Sequence, residues 1–377
     1  MSRVLLSGVV KRFGDFTALH ELDLEIREGE FLTLLGPSGC GKTTTLRLIA
    51  GFIQPTQGTI LLGDEDVTRV APQHREIGMV FQDYALFPHM TIGENIGFGL
   101  KERRYPKAEI DARVAELLEL VRLPHVADRY PAEVSGGQQQ RIAVARAVAY
   151  PPRVLLMDEP LGALDLKLRE ALQIELRRIQ QELGITTVYV THDQTEAMNM
   201  SDRIVVMNMG RIEQMGSAEE IYDHPRTRFV ADFVGQVNLL EATVLGADGE
   251  FLAARTAGRS VRLAGAAAAE GDRVVIAVRP EQLRLLQSGE HADGLNVIDG
   301  TVAQRTFAGN ITRIYVDIGF DKPVVVETRP HEAPREAGIA VRIGWHPANA
   351  TVLGEQAAAE PRSDTGTAIR RRQQETT

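Results

Sequence analysis

The segment Gly36-Pro-Ser-Gly-Cys-Gly-Lys-Thr43 decides the fold. It fits the pattern G-x-x-x-x-G-K-[ST], and it follows an apolar run at 31–35 and precedes a helical pattern that continues through residue 49. Glycines let backbone N–H groups curve around phosphate oxygens, and the helix N-terminus adds the positive end of a dipole. The residues expected to hold phosphates are therefore Gly36, Pro37, Ser38, Gly39, Cys40, Gly41, Lys42, Thr43 and Thr44. Lys42 is expected to reach the β- and γ-phosphates, and the Thr43 hydroxyl to ligate Mg²⁺.

Two acidic residues follow a second apolar run, at 154–157. A strand that ends in an acid places a carboxylate at the carboxyl edge of a sheet, where open α/β sheets bind ligands. Asp158 is expected to hold Mg²⁺, through water, and Glu159 to polarise an attacking water. An apolar run before two acids also describes many ordinary strand ends, but its pairing with the phosphate loop favours a functional role.

The alternation of short apolar runs with helical patterns predicts an α/β domain at 1–237, with a helical subdomain at about 90–150. Further strands are expected at 186–190 and 204–207, and helices at 106–123, 138–149 and 166–183. Beyond residue 238 only short strand patterns recur, at 274–278, 300–307, 312–318, 324–328 and 339–343. They predict an all-β, OB-like barrel or barrel pair at 238–354, followed by a disordered tail at 355–377.

Composition limits the classes of protein that fit. The net charge of −9 argues against a nucleic-acid-binding surface. The single cysteine, Cys40, excludes an internal disulfide and fits a reducing compartment. No apolar run approaches the roughly 20 residues that span a bilayer, and the N-terminus lacks the pattern of a signal peptide. We therefore expect a cytoplasmic chain that acts at a membrane only through a partner.

A second candidate anion site is the turn formed by Ser135, Gly136 and Gly137, which opens a helical pattern at Gln138. With both turns and both acids in this order, residues 1 to about 235 resemble the nucleotide-binding subunit of an ABC transporter. The resemblance implies an ABC-type P-loop ATPase in which two subunits pair head to tail. Each ATP, with Mg²⁺, would lie between the phosphate loop of one subunit and the Ser-Gly-Gly turn of the other.

The resemblance also assigns roles to individual residues. Phe13 matches the aromatic residue that stacks on adenine, with Phe16 as the alternative and core packing as the structural explanation for either. Gln82 matches the glutamine that senses Mg²⁺ and the attacking water, and His192 the histidine that contacts the γ-phosphate. Residues 163–165, which end in Asp165, match the loop that crosses the dimer interface. The implied catalytic set is Glu159 as general base with Lys42, Gln82 and His192, and the implied Mg²⁺ set is Thr43, Gln82 and Asp158.

The β region with Val278-Arg-Pro-Glu281 resembles the TOBE domains of importer ATPases. Several stretches, among them 84–90 and 233–238, are similar to spermidine/putrescine importers, and ferric-iron or other small-solute importers remain the alternative. The implied partners are a second copy of the chain or a related subunit, two transmembrane permease subunits and, indirectly, an extracytoplasmic solute-binding protein. The implied location is the cytoplasmic face of the cell membrane.

Three further alternatives stay open at this point. A soluble, non-transport ABC ATPase is disfavoured, because the chain has neither a second ATPase unit nor a basic surface excess. The β region could be a dimerisation scaffold or a sensor of a small molecule. Cys40 could react with alkylating agents and be protected by ATP, or it could be a small buried side chain without reactivity.

Overall fold

The structure is a computed structural model, and it describes residues 2–162, 164–265, 268–287, 290–334 and 336–354. Its internal contacts divide the chain into two compact units, with the division between Gln236 and Val237. The tail predicted at 355–377 lies outside the described residues, as does Ala163 in the loop expected to cross a dimer interface.

A six-stranded sheet forms the centre of the first unit. Its strands are β3 (Phe31–Leu35), β6 (Ile77–Val80), β7 (Val154–Asp158), β8 (Thr187–Thr191), β9 (Arg203–Asn208) and β10 (Arg211–Gly216). Their order is β10-β9-β3-β8-β7-β6, and all neighbours pair in parallel except β9 with β10. All residues of β3 and β8 are buried, which explains their continuous apolar pattern. The loops after β3, β6, β7 and β8 therefore lie at the same edge of the sheet.

A four-stranded antiparallel sheet packs into the same core. Its strands are β1 (Val4–Phe13), β2 (Phe16–Ile26), β4 (Gln57–Leu62) and β5 (Glu65–Asp66), in the order β2-β1-β4-β5. Gly14 and Asp15 form the turn between β1 and β2, and Gly14 has the positive φ of 57° that tight hairpin turns favour. None of the strands of this sheet was predicted from the sequence, nor were β6 and β10 of the central sheet.

Eight helices complete the described part of the first unit. They are α1 (Lys42–Ala50), α2 (Ile92–Glu102), α3 (Lys107–Leu120), α4 (Gly136–Ala147), α5 (Leu166–Leu183), α6 (Gln194–Met200), α7 (Ala218–Asp223) and α8 (Arg228–Phe233). The helix predicted at 106–123 ends earlier, because Arg122 adopts a left-handed φ of 56°. α4 begins two residues before the predicted start, because Ser135 caps it and the glycines form its first turn.

The second unit consists of two five-stranded antiparallel sheets that share one hydrophobic core. The first contains β11 (Asn238–Asp248), β12 (Phe251–Thr256), β13 (Arg259–Leu263), β14 (Arg273–Val278) and β20 (Ala350–Gly354). The second contains β15 (Arg284–Leu286), β16 (Asn296–Ala308), β17 (Ile311–Asp317), β18 (Val324–Thr328) and β19 (Ala340–Trp345). The predicted fold class, an α/β part followed by an all-β part, is confirmed, although β11 to β13, β15 and β20 were not predicted.

The two sheets of the second unit repeat one pattern. Their strand orders are β13-β12-β11-β14-β20 and β18-β17-β16-β19-β15. The first repeat is β11 to β15 and the second is β16 to β20. Each repeat contributes its first four strands to one sheet and its fifth strand to the other sheet. Asn238 at the start of β11 exchanges two hydrogen bonds with the backbone of Val325, at 2.8 and 2.7 Å. Asn296 at the start of β16 does the same with Arg262, at 2.8 and 2.7 Å. Each asparagine therefore fastens its strand to the third strand of the other repeat.

None of the helices in the described part of the chain is long and apolar enough to cross a membrane.

A buried arginine links α1 to the segment that leads into β6. The side chain of Arg75 is 1% exposed, and burial lowers the pKa of its guanidinium. It donates to the carbonyls of Leu48 and Ile49 in the last turn of α1, both at 2.8 Å, and to Val70 at 2.8 Å and Thr68 at 3.3 Å. One side chain thus donates to four carbonyl groups, of which that of Leu48 also accepts from the N–H of Gly51 at 3.1 Å.

We expect Arg75→Met to lower the free energy of unfolding by about 3 kcal/mol, because it removes the hydrogen bonds that the buried guanidinium donates to these carbonyls. Urea unfolding of the full chain measures the change. Arg69→Met, at an exposed position nearby, is the control and should shift the free energy by less than about 0.5 kcal/mol. Equal shifts for the two variants would show that the carbonyls do not depend on Arg75.

Candidate nucleotide-binding site

The loop between β3 and α1 requires glycine at several positions. A Cβ atom on Gly36 would lie 2.3 Å from the Met207 carbonyl oxygen and 2.6 Å from Cys40 Sγ. Gly39 and Gly41 adopt φ values of 79° and 107°, which side-chain-bearing residues rarely adopt. The sequence pattern therefore specifies a tight backbone curve at the carboxyl end of a buried parallel strand.

Lys42 and Thr43, the first residues of α1, direct polar groups into this loop. Lys42 Nζ donates to the carbonyls of Gly36 at 2.7 Å and Pro37 at 3.0 Å, while the residue is only 5% exposed. Thr43 Oγ1 donates to Asp158 Oδ1 at 3.1 Å. Burial raises the pKa of Asp158, and the hydrogen bond from Thr43 partly opposes that shift. The loop thus carries an ammonium group beside a partly buried hydroxyl–carboxylate pair.

Glu159 and His192 come together at the same sheet edge. Glu159 has a left-handed φ of 46°, held by a hydrogen bond from its N–H to the Val190 carbonyl at 3.0 Å. This backbone conformation is costly for a non-glycine residue and is frequent at functional sites. The Nδ1 atom of His192 lies 3.2 Å from Glu159 Oε2. Glu159 and His192 therefore lie side by side because each follows the end of one of the neighbouring strands β7 and β8.

Gln82 stands just beyond the end of β6 and is exposed. Its Nε2 atom would lie 3.9 Å from a Cβ built on Gly162, three residues beyond Glu159. A side chain at position 162 would therefore be in van der Waals contact with the glutamine and with the Glu159 carbonyl, 3.5 Å away.

Ser135 and Gln138 form a reciprocal capping box at the start of α4. Ser135 N donates to Gln138 Oε1 at 2.8 Å, and Gln138 N donates to Ser135 Oγ at 3.4 Å. Ser135 and Gly136 are exposed, and Gly137 packs so closely on Leu168 that a Cβ there would lie 2.9 Å away. Within the described residues, no hydrogen bond joins this turn to the phosphate loop of the same chain.

The two aromatic candidates lie opposite each other on the β1–β2 hairpin. Phe13 is 49% and Phe16 66% exposed, so neither is a core residue. The Lys11 ammonium lies 4.7 Å from the centroid of the Phe13 ring. Core packing is therefore excluded for both rings.

Asp165 is exposed and caps α5, where its Oδ1 accepts a hydrogen bond from Leu168 N at 3.0 Å. The structure thus brings together Lys42, Thr43 and Asp158 in one cluster and Glu159 with His192 in another. The glycines of the Ser135 turn approach Leu164 and Leu168, which lie on either side of Asp165, and the phenylalanine hairpin is exposed.

Comparisons with known proteins agree with this geometry. The family model for ABC transporters matches residues 19–162, and the model for the TOBE domain matches residues 276–353. The spermidine/putrescine import ATP-binding protein PotA of Rubrobacter xylanophilus is 48% identical over 93% of this chain and 93% of its own length. That of Thermobifida fusca is 51% identical over 89% of this chain and 88% of its own length. The chain belongs to the ATP-binding subunits of ABC transporters.

Solved structures of ABC ATPases share the fold of the first unit. One is cbiO1 from Clostridium perfringens, part of the ABC transporter complex cbiONQ, with a TM-score of 0.55 and 29% identity over 58% of this chain and 89% of that one. Another is an ATP-binding cassette solved as a dimer in a post-hydrolysis state with ADP and Pi. Its TM-score is 0.51 and its sequence identity 34%, and the match covers 57% of this chain and 98% of that one. The predicted family, its ATPase activity and the TOBE region are confirmed by these matches.

Two arginines near the site of this ABC subunit were not identified from the sequence. Arg146 in the last turn of α4 donates to the carbonyls of Tyr84 and Ala85, at 2.9 and 2.6 Å. Arg169 on α5 donates to Asp193 and to the Leu164 carbonyl, at 2.9 and 3.1 Å. The spacing of Arg169, one helical turn after Asp165, is the sequence signal that could have indicated it.

Cys40 is 2% exposed, and its Sγ lies 3.9 Å from Lys42 Nζ. Burial raises the pKa of the thiol and outweighs the opposite effect of Lys42. The thiolate is the reactive form, so the structure favours the unreactive alternative for Cys40.

We expect iodoacetamide to modify Cys40 at least about 10-fold more slowly in the folded chain than in urea, because the thiol is covered and protonated at pH 7. Mass spectrometry of the alkylated peptide gives both rates, and addition of MgATP should change the folded rate little. Fast labelling of the folded chain that MgATP suppresses would contradict this and support the reactive-cysteine hypothesis.

Proposed function

We propose that this chain binds and hydrolyses ATP as a subunit of an importer for polyamines such as spermidine and putrescine. The observation that carries the proposal is that five candidate residues converge at one sheet edge: Lys42, Thr43, Asp158, Glu159 and His192. The chain that contains them is similar to polyamine importer subunits over nine tenths of its length. ATP hydrolysis would supply the energy. The solute would contact other subunits.

The donor set of the loop fits a bound Mg²⁺ ion. Mg²⁺ prefers hard oxygen ligands, and in phosphate sites it usually keeps waters and takes only one or two protein ligands. Thr43 Oγ1 and the Asp158 carboxylate supply such oxygens 3.1 Å apart, and Gln82 is the third candidate. The raised pKa of Asp158 also indicates a carboxylate that a nearby cation would stabilise. Held by these residues, Mg²⁺ would supply positive charge that neutralises the phosphates.

Lys42 and the loop backbone would bind the phosphates, with the N–H groups of Gly36 and of residues 38–44 around them. Glu159 would accept a proton from the attacking water as the water oxygen bonds to the γ-phosphorus. The bond from that phosphorus to the β–γ bridging oxygen would break in the same step, with ADP as the leaving group. His192, 3.2 Å from Glu159 in the structure, would orient that carboxylate and donate a hydrogen bond to the γ-phosphate. Phe13 would stack on adenine, because its exposed ring lies on a hairpin whose β2 strand touches Gly41 through Leu19.

A second copy would complete each site. The Ser135 turn lies at a helix N-terminus, with Ser135 and Gly136 exposed, and has no hydrogen bond to the phosphate loop of its own chain among the described residues. That arrangement supports binding of Ser135, Gly136, Gly137 and Gln138 to the γ-phosphate held by the other copy. Asp165, exposed at the start of α5, would contact the other copy in the same interface.

A cavity of about 430 Å³ supports docking of the membrane subunits. It lies beside β6 and is lined by the rings of Phe81, Phe87 and Phe98 together with Arg103 and Arg146. An apolar floor with two cationic side chains suits an amphipathic helix of a permease subunit that carries an acidic residue. Such docking would hold the chain at the cytoplasmic face of the membrane.

Arg146 gives this cavity a direct connection to the nucleotide. It lies in the last turn of α4, whose first turn is the Ser135 turn, and it holds the carbonyls of Tyr84 and Ala85. These two residues have left-handed φ values of 61° and 47°, so their conformation depends on such support. ATP binding at one end of α4 would thus move the wall of the cavity at the other end.

Glu159→Gln tests the assignment of the general base. We expect the variant to bind ATP with nearly unchanged affinity and to form an ATP-dependent dimer, while kcat falls by about 100-fold or more because glutamine cannot accept the proton. Phosphate release and size-exclusion chromatography measure the two effects. The control is Glu119→Gln, an exposed position on α3. Turnover near that of the control would refute the assignment.

A further inference from the structure

Arg169 connects two loops that approach the nucleotide from different directions. Its Nη2 donates to the carbonyl oxygen of Leu164 at 3.1 Å, directly before Asp165. Its Nη1 donates to Asp193 Oδ2 at 2.9 Å, directly after His192. One guanidinium group therefore holds both the loop expected to reach the second copy and the loop that carries the histidine of the first.

The histidine loop is built around two carboxylates that both pair with Arg169. Asp193 Oδ1 accepts from the N–H groups of Thr195 and Glu196 at the start of α6, at 2.8 and 3.1 Å. Glu196 is 3% exposed, and its Oε2 accepts from Tyr189 Oη and Thr191 Oγ1, at 2.8 and 2.7 Å. Arg169 Nε lies 3.8 Å from the other oxygen of Glu196. A shift of Arg169 would therefore move the residues on both sides of His192.

The geometry of arginine matters for this connection. The guanidinium presents its donors in a rigid planar fork, whereas lysine offers one compact charge on a flexible stem. Lysine at this position could neutralise Asp193, but it could not hold the Leu164 carbonyl and both carboxylates in the same fixed arrangement. The connection between the loops thus depends on the shape of the side chain as well as on its charge.

We propose that Arg169 is a positioning residue that couples the loop ending in Asp165 to His192, so that closure on a second copy and alignment for hydrolysis occur together. The inference rests on the proposed function of the site. It assigns to Arg169 no contact with ATP, since the side chain acts through Leu164 and Asp193.

Arg177 provides a matched control on the same helix. Its side chain is 24% exposed, as is that of Arg169, and it pairs with Asp202 and Gln180. It touches neither loop in the described structure. A loss common to Arg169 and Arg177 variants would therefore reflect the stability of α5 and not the connection between the loops.

The experiment compares Arg169→Lys, Arg169→Met and Arg177→Lys in the full chain. Four quantities are measured: thermal stability, the Kd of a fluorescent ATP analogue, kcat for ATP hydrolysis, and ATP-dependent dimerisation in the Glu159→Gln background. Arg169→Lys keeps the charge and so keeps the experiment informative if Arg169→Met does not fold.

We expect Arg169→Lys to keep its Tm and its Kd for the analogue, because the phosphate loop is untouched. Its kcat should fall by about 10-fold or more, since small misplacements of catalytic groups are costly. On dilution, its dimer in the Glu159→Gln background should dissociate at a several-fold higher protein concentration than the Glu159→Gln dimer that keeps Arg169. Arg177→Lys should change neither quantity.

A loss confined to kcat or to dimerisation, or no loss in Arg169→Lys, would overturn the coupling. An equal loss in Arg177→Lys would overturn it as well. If the unmodified chain itself hydrolysed no ATP, the proposed function would fail, and the inference would fall with it. An active unmodified chain beside an unaffected Arg169→Lys would overturn the inference alone.

Discussion

The parallel pairing of β3, β6, β7 and β8 is the constraint on which the rest of the site depends. It brings four carboxyl ends to one sheet edge, where the phosphate loop, Gln82, Glu159 and His192 follow. The hydrogen bond between Thr43 and Asp158 joins the first of these loops to the third. Arg75 holds the end of α1, the helix that follows the first of these loops. The roles of α4 and α5 in communication with this edge are proposals.

The sequence predicted the central fold well because its strands are buried on both faces. The apolar runs of β3, β7, β8 and β9 leave few alternatives, and the glycines of the phosphate loop mark the turn where the backbone requires them. Strands β1, β2, β4 to β6 and β10 of the first unit, and β11 to β13, β15 and β20 of the second, were not predicted. Most of these strands have partly exposed faces, so their patterns are broken by charged residues and are set by neighbours distant in the chain. The exchange of strands between the two repeats likewise depends on pairings that no local pattern encodes.

The candidate site was predictable where motifs are contiguous and not where side chains act across the fold. Lys42, Thr43 and Asp158 belong to recognisable runs, and the structure places them in contact. Arg146 and Arg169 lie on helical faces that carry many charged residues, and only the folded chain shows that they hold carbonyls of loops near the nucleotide. The assignments to a second copy, at the Ser135 turn and Asp165, stay predictions. A single chain contains only half of each interface.

The central claim is that ATP hydrolysis by this chain drives polyamine import. The most direct measurement is ATP turnover by the chain assembled with its membrane subunits in lipid, with a solute-binding protein loaded with spermidine, putrescine or ferric iron. We expect turnover to rise with the polyamine-loaded binding protein and not with the iron-loaded or empty one. Stimulation by the iron-loaded binding protein alone would leave the ATPase activity assigned to this chain intact but contradict a polyamine as the transported solute. Steady turnover without stimulation by any loaded protein would contradict the coupling to import.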